Sequence, residues 1–231
     1  MILLVSLERI GETYKTSSGH HALKCKFEDM TGHPVLVQHY SQVSPELVGR
    51  LPIRAIFIGG TSVPWSEFPT EHIIGLSDVV TNTDIPILGA CGGHQMLGVC
   101  FNNDIRTVDT LSDDWMRKLR PGEPDLMPDY RPGQYSEGGV WPVEILVADP
   151  VFDGFDGTLM VREAHAGEVK KLPADFIHLA RNDNCEIQAM RHKDRLIYGT
   201  QFHPEAWTDH YPDGKRFVEN FFRIAGLIEK E

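Results

Sequence analysis

Ile85-Pro86-Ile87-Leu88-Gly89-Ala90-Cys91-Gly92-Gly93-His94-Gln95 is the stretch whose reading decides the fold. Its first four residues are an apolar, strand-like run, and the segment from about His94 to Phe101 reads as a helix. Only small residues separate the two. A strand that turns so sharply into a helix crowds its own backbone, and Gly89, Ala90, Gly92 and Gly93 relieve the crowding. Such a turn projects its central side chain, here Cys91, above the edge of a sheet. The helix behind it aims free N–H groups and the positive end of its dipole at the sulfur, which favours the thiolate. A lone cysteine beside glycines is most often an inert core residue. The strand before Cys91 and the helix after it argue for a reactive one.

Upstream, Ile2 to Leu7, Val35 to His39 and Ala55 to Ile58 are nearly all apolar, as strands buried on both faces of a parallel sheet must be. Lys15 to Met30 and Thr70 to Thr81 read as helices between them, and Ser44 with Pro45 and Glu46 starts a short one. The expected class is α/β, a flavodoxin-like three-layer sandwich with a central, mostly parallel sheet. Arg106 to Gly139 is charged and rich in Pro and Gly, with one short helix expected around Ser112 to Leu119. A stretch this long without periodicity is a lid, a docking surface or a mobile insertion. A β-rich C-terminal part follows, with strands expected at Val140 to Val147, Thr158 to Arg162, Ile177 to Ala180, Ile187 to Met190 and Leu196 to Phe202. Asp213 to Ile228 closes the chain as an amphipathic helix, with Phe217, Phe221, Ile224 and Leu227 at helical spacing. No repeat or linker divides the sequence, so residues 1–231 are expected to form a single domain.

Bulk properties narrow the function. The 231 residues are 41% hydrophobic and 24% charged, a globular composition. A formal charge of −11 speaks against nucleic acid as partner, because phosphate backbones are bound by clustered Lys and Arg. No apolar run reaches the ~20 residues of a membrane span, and Met1 to Arg9 reads as a buried strand rather than a signal peptide. Cys25, Cys91, Cys100 and Cys185 lack C-x-x-C spacing, which favours free thiols in a reducing compartment, the cytoplasm by default.

The element that answers Cys91 is Gln201-Phe202-His203-Pro204-Glu205. In extended chain, His203 and Glu205 point to the same side, so the carboxylate can sit behind the imidazole and stabilise its charged form. Pro204 stiffens the connection. Alone, this triplet is commonplace; with Cys91 it completes nucleophile, base and orienting acid, the set needed for thiol-based acyl transfer. Gly59 and Gly60 end the third strand at the edge where such folds bind ligands. They are either a tight turn or, with Gly92, a source of N–H groups for an oxyanion.

These residues resemble the class I (triad-type) glutamine amidotransferases, and are similar to the glutaminase domain of GMP synthetase. The resemblance covers most of the chain and rests on Gly59-Gly60, the elbow Gly89 to Gln95, Glu163-Ala164-His165 and Tyr198 to Glu205. It implies Cys91 as nucleophile, His203 as base, Glu205 as orienting acid, and Gly60 and Gly92 as oxyanion donors. It places Gln95, Gly59 and His165 at the substrate. It further implies hydrolysis of the L-glutamine side-chain amide through a γ-glutamyl thioester, with no metal or organic cofactor. Ammonia would pass to a separate synthetase subunit, since no G-x-x-x-x-G-K phosphate loop occurs in the sequence. Three positions depart from the family pattern: Thr61 where Pro is common, Ala164 where Ser or Asn is usual, and Gly92 where a bulky apolar residue is frequent.

Two other readings stay open. The same triad serves a stand-alone γ-glutamyl hydrolase or peptidase, because fold and triad do not fix the substrate. A non-catalytic binding module on the same fold would have no use for all three groups. Among lesser candidates, adjacent His20 and His21 cannot share a metal-binding helical face, and Asp113 and Asp114 read as a solvated helix face. Trp65, Phe68, Trp115, Tyr130 and Tyr135 fall in loops and either pack or line a cleft.

Overall fold

The computed structural model describes residues 1–9, 13–129 and 131–229. Four parallel strands come first: β1 (Ile2–Ser6), β2 (Val35–His39), β3 (Ala55–Ile58) and β4 (Ile87–Ala90). They are followed by β5 (Glu137–Ile145), β6 (Thr158–His165), β7 (Phe176–Arg181), β8 (Ala189–His192) and β9 (Ile197–Thr200). All nine lie in one sheet, in the order β2-β1-β3-β4-β9-β8-β7-β5-β6. β9 pairs parallel with β4 on one side and antiparallel with β8 on the other. The expected parallel sheet is therefore one half of a mixed sheet, and the β-rich C-terminal part is its antiparallel half.

The helices are α1 (Thr13–Thr16), α2 (Ser18–Thr31), α3 (Pro45–Arg50), α4 (Thr70–Asn82), α5 (Gly92–Asn102) and α6 (Asp213–Ile224). Strand alternation sends Leu3, Val5, Ile56, Ile58 and Ile87 to one face, where they meet Ile73, Leu76 and Val80 of α4 and Met96 and Leu97 of α5. Ile2, Leu4, Phe57 and Leu88 go to the other face, against Phe27 of α2 and Phe217, Phe221 and Phe222 of α6. These five phenylalanines are fully buried, and each removes enough apolar surface from water to contribute about 1.5–3 kcal/mol. The result is three layers, and it fixes α5 directly behind β4.

Local chemistry shifts several expected boundaries. The helix expected over 15–30 is two, because the Ser17 hydroxyl accepts from Gly19 N at 3.2 Å and restarts it. β4 begins two residues later than expected: Pro86 has no N–H for the ladder, though its carbonyl accepts from Ile56 N at 2.8 Å. The helix expected around 112–119 is absent. That segment is extended and bridges outward, Trp115 to Gly167 and Lys118 to Gln134. The ends of β5 to β9 and of α6 differ from expectation by a few residues. β5 starts at Glu137, inside the stretch that read as irregular.

Candidate active site

Cys91 has φ 50° and ψ −103°, the one positive φ on a non-glycine residue among the described residues. Such a conformation costs roughly 1–3 kcal/mol and persists only where its surroundings impose it. Cys91 N donates to Thr200 O at 2.7 Å, and Cys91 O accepts from Gln95 N at 3.0 Å, so both ends of the turn are pinned. Two glycines permit the crossing. A Cβ on Gly93 would lie 2.2 Å from the Ile58 carbonyl oxygen, and one on Gly89 would lie 2.6 Å from the Gly93 carbonyl. His94 locks α5 to β9: it is fully buried against Gly199, and that burial lowers its pKa to about 3, so it is a neutral packing residue.

His203 follows β9, with its N–H donated to Arg162 O at 2.8 Å. Pro204–Ala206 is a short 3-10 turn. Glu205 reaches the ring through that turn and not through the extended alternation expected, with its Oε1 2.7 Å from His203 Nδ1. Glu205 engages only Nδ1 of the ring, and the ring lies beside Cys91. Burial opposes a charge on His203, but Glu205 and the Cys91 sulfur outweigh it and hold the imidazole pKa well above the ordinary value.

The two glycines at the end of β3 behave differently. Gly59 N donates to Val5 O at 3.0 Å, so its N–H belongs to the sheet. A Cβ on Gly60 would sit 3.0 Å from His203 Cε1 and 3.7 Å from Cys91 Cβ, which puts the Gly60 backbone against both. Gly92 opens α5, where no intrahelical partner exists for its N–H. A Cβ on Gly92 would meet both the Thr61 methyl and Thr61 N at 2.8 Å. The Thr61 hydroxyl is held by Leu7 O at 3.0 Å and by Val63 N at 3.0 Å, which turns its methyl toward Gly92. Two of the departures from the family pattern, Thr61 and Gly92, are thus one fitted pair.

A cavity of about 480 Å³ opens over Cys91 and Gly92. Its walls include Trp65 and Trp115, the 164–167 segment, and Leu126 to Asp129 from the long insertion. Asp113, expected on a solvated helix face, instead ties the insertion to the wall: its carboxylate accepts from Trp65 N at 2.6 Å and Ser66 Oγ at 2.7 Å. Trp65 packs on Phe68, Arg117 lies over Tyr135, and Arg131 lies over Trp115. Tyr130 lies outside the described residues.

Gln95 reaches the cavity, but its amide is largely committed to the protein. Its Oε1 accepts from Trp65 Nε1 at 2.8 Å, and its Nε2 donates to Gly167 O at 3.0 Å and Gln201 Oε1 at 3.2 Å. His165 also lines the cavity, yet both its ring nitrogens are spent, Nδ1 on Gly167 O at 2.9 Å and Nε2 on Glu137 Oε2 at 3.0 Å. Glu163 Oε2 is a further 3.2 Å from Nε2. Burial alone would neutralise His165, but the two carboxylates raise it to about 10. Glu137 also accepts from Asn182, Asn184 and Gln188, and although burial opposes its charge these donors and His165 hold its carboxyl below the ordinary value. Burial pushes Glu163 up. Glu137, Glu163 and His165 are the one group of possible metal ligands among the described residues, their donor atoms all within 4.8 Å. In this structure the three side chains satisfy one another as an ion cluster, with His165 between the two carboxylates.

Among the described residues the cysteines are free thiols, and burial raises Cys100 to about 12 and Cys185 well above the ordinary value. No helix of the described residues is long and apolar enough to cross a membrane.

A strained cysteine at a strand-to-helix turn on a mixed α/β sheet, with a histidine–carboxylate pair beside it, is an arrangement capable of thiol-based acyl transfer. The glutamine amidotransferase class-I family model matches residues 16–225, and the chain belongs to that family of cysteine-nucleophile amidohydrolases. It is 33% identical over 180 residues to a glutamine-hydrolysing GMP synthase subunit of Methanothermobacter thermautotrophicus, covering 78% of each chain. It is 35% identical over 183 residues to the protein of the same name from Methanosarcina mazei, covering 79% of this chain and 78% of the other. A crystal structure of a putative GMP synthase subunit from Thermoplasma acidophilum shares the fold with a TM-score of 0.69 at 22% identity, over 98% of this chain and 94% of that one. The glutaminase domain of Trypanosoma brucei CTPS with bound acivicin shares it with a TM-score of 0.68 at 14% identity, over 100% and 96%.

Proposed function

We propose that the chain hydrolyses the side-chain amide of L-glutamine and supplies the ammonia to a separate synthetase subunit. Cys91 attacks the amide carbon, and the negative charge that develops on the oxygen falls between the backbone N–H groups of Gly60 and Gly92. His203 gives its proton to the departing nitrogen and ammonia leaves, with a γ-glutamyl thioester on Cys91. Water then adds to the thioester, His203 takes its proton, and glutamate departs as the sulfur is regenerated. Glu205 holds the imidazole in place and stabilises its charged form. The observation that carries this reading is Cys91, strained at φ 50°, beside a histidine whose Nδ1 is 2.7 Å from Glu205.

Glutamine as substrate, and the synthetase as partner, are supported by relatives named as glutamine-hydrolysing subunits of GMP synthase. Residues 1–231 act as one amidotransferase domain, a reading supported by helices packed on both faces of one sheet. Four free thiols fit a reducing compartment, the cytoplasm. In this reading residues 106–139 are the lid or docking surface, because Leu126 to Asp129 wall the cavity while Leu126 stays 56% exposed.

That wall also favours a second reading, a γ-glutamyl hydrolase. A site of about 480 Å³ with apolar insertion residues at its mouth has room for a γ-glutamyl amide larger than glutamine. Ammonia or amine release from glutamine and from a series of γ-glutamyl amides separates the two. Glutamine turnover that vanishes in Cys91→Ala supports the first reading; turnover of the larger amides alone replaces it with the second. Activity that survives Cys91→Ala rejects both.

A further inference from the structure

Gln201 is fully buried, and its backbone N–H is fixed to Gln188 O at 2.8 Å. Its side-chain Nε2 lies 3.7 Å from Cys91 Sγ, and its Oε1 accepts from Gln95 Nε2 at 3.2 Å. Gln95 in turn is bound by Trp65 Nε1 at 2.8 Å and by Gly167 O at 3.0 Å. Each end of this chain of bonds has one possible polarity. An indole N–H only donates, and a backbone carbonyl only accepts. The Gln95 oxygen must therefore face Trp65, and its NH₂ must face Gly167 and Gln201. With a donor arriving from Gln95, Gln201 presents its oxygen there and its N–H to the sulfur.

We propose that Gln201 is a further catalytic residue, an N–H donor that holds the Cys91 sulfur as a thiolate before attack, and that Gln95 and Trp65 are the positioning residues that fix its polarity. The opposite orientation would set a carbonyl oxygen against the sulfur anion and an NH₂ group against another NH₂. The relay stabilises charge on sulfur, which disappears when the thioester forms, so its effect lies in how much thiolate is present at a given pH. The proposal deepens the reading in which Cys91 is the nucleophile, and rests on it.

The charged groups that face this sulfur are His203, backed by Glu205, from the turn after β9, and His165, backed by Glu137 of β5 and Glu163 of β6. The N-terminus of α5 adds its dipole. Gln201 does not titrate. Removing it moves the midpoint of thiolate formation without adding an ionisation.

The test is the rate of Cys91 alkylation by iodoacetamide across pH 5 to 10, read by peptide mapping on the full chain. Gln201→Met keeps the volume and removes the donor. Its midpoint should rise by about one pH unit, a roughly tenfold loss of rate on the acid limb with the plateau retained. Gln201→Glu should move it further, by placing a carboxylate against the anion. Trp65→Phe, which leaves Gln95 held only by Gly167 and Gln201, should move it the same way by less. Thermal melting identifies any variant that fails to fold, and Trp65→Phe then carries the test. An unmoved midpoint in a folded variant, or a rate lowered equally at every pH, overturns the relay. The wild-type map is a separate control: modification of another cysteine ahead of Cys91 overturns the catalytic assignment itself, before any variant is compared.

Discussion

Two histidines stand near the Cys91 sulfur, each against carboxylate, and the proposed reaction gives them opposite uses. His203 and Glu205 have side chains 18% and 13% exposed, whereas His165, Glu137 and Glu163 are at 1%, 0% and 0%. Both rings are driven toward the charged form by their carboxylates. Charge alone therefore does not separate a base from a structural ion. The unspent nitrogen does. Glu205 engages only Nδ1 of His203, and in the proposed reaction the other nitrogen serves the sulfur. His165 gives one N–H to Gly167 and the other to Glu137, so moving its proton means breaking the network that seats the 165–167 cavity wall.

The largest effects should come from the unit with the free nitrogen. His203→Ala should lower ammonia release by roughly 10⁴-fold or more, as loss of one member of a unit does. Glu205→Gln should cost less, roughly 10²-fold, since the ring remains but is poorly oriented. Both should melt within a few degrees of the wild type. A larger kinetic loss from Glu205→Gln than from His203→Ala would break the comparison at its first step.

The buried unit should respond in the opposite quantity. Glu137→Gln removes a carboxylate that His165, Asn182, Asn184 and Gln188 all donate to. Unpairing buried charge of this kind costs about 3 kcal/mol, or roughly 6–12 °C in Tm for a chain of this size. Activity per folded molecule should fall less than in Glu205→Gln. Denaturant melts and active-site titration read the two separately.

Acidity gives a finer distinction. The folded pKa of His165, about 10, lies above its ordinary 6.5. Its contribution to stability is thus fully present below pH 6.5 and is lost as pH rises through about 10. The Tm advantage of the wild type over His165→Gln should shrink across that window. An advantage that grows with pH would show that the ring is neutral in the fold.

The juxtaposition of Cys91, His203 and Glu205 was legible in the sequence because its parts are local: a strand–Cys91–helix turn, and His203 and Glu205 two residues apart. Even there the reason differed, since a 3-10 turn and not strand alternation brings Glu205 under the ring. The buried unit was not legible. Glu137 sits in a glycine-rich stretch with no visible strand period, and its donors Asn182, Asn184 and Gln188 are 45 to 51 residues away. Antiparallel pairing of β5 with β6, which sets Glu137 opposite His165, is what joins them. The same holds for Asp113, whose partners Trp65 and Ser66 come from a different loop. The parallel strands announced themselves through unbroken apolar runs. The order of the antiparallel half depends on contacts that no local pattern records.

Each unit also has a thiol, and here the smallest effect is expected. Cys185 is fully buried, with its N–H on the Asn182 side chain that serves Glu137. Burial and then the charges of Glu168, Glu163 and Glu137 push it well above the ordinary thiol range. It should stay protonated, and so unreactive, while Cys91, beside a histidine with a nitrogen to spare, reacts. A glutamine-like electrophile should label Cys91 fully before Cys185 takes any, and Cys185→Ala should keep turnover within about twofold. Its cost should appear only as a small cavity, on the order of 1 kcal/mol. If Cys185→Ala instead loses activity while its Tm holds, the buried carboxylates act on the chemistry as well as on the fold, and the division between the two histidines fails.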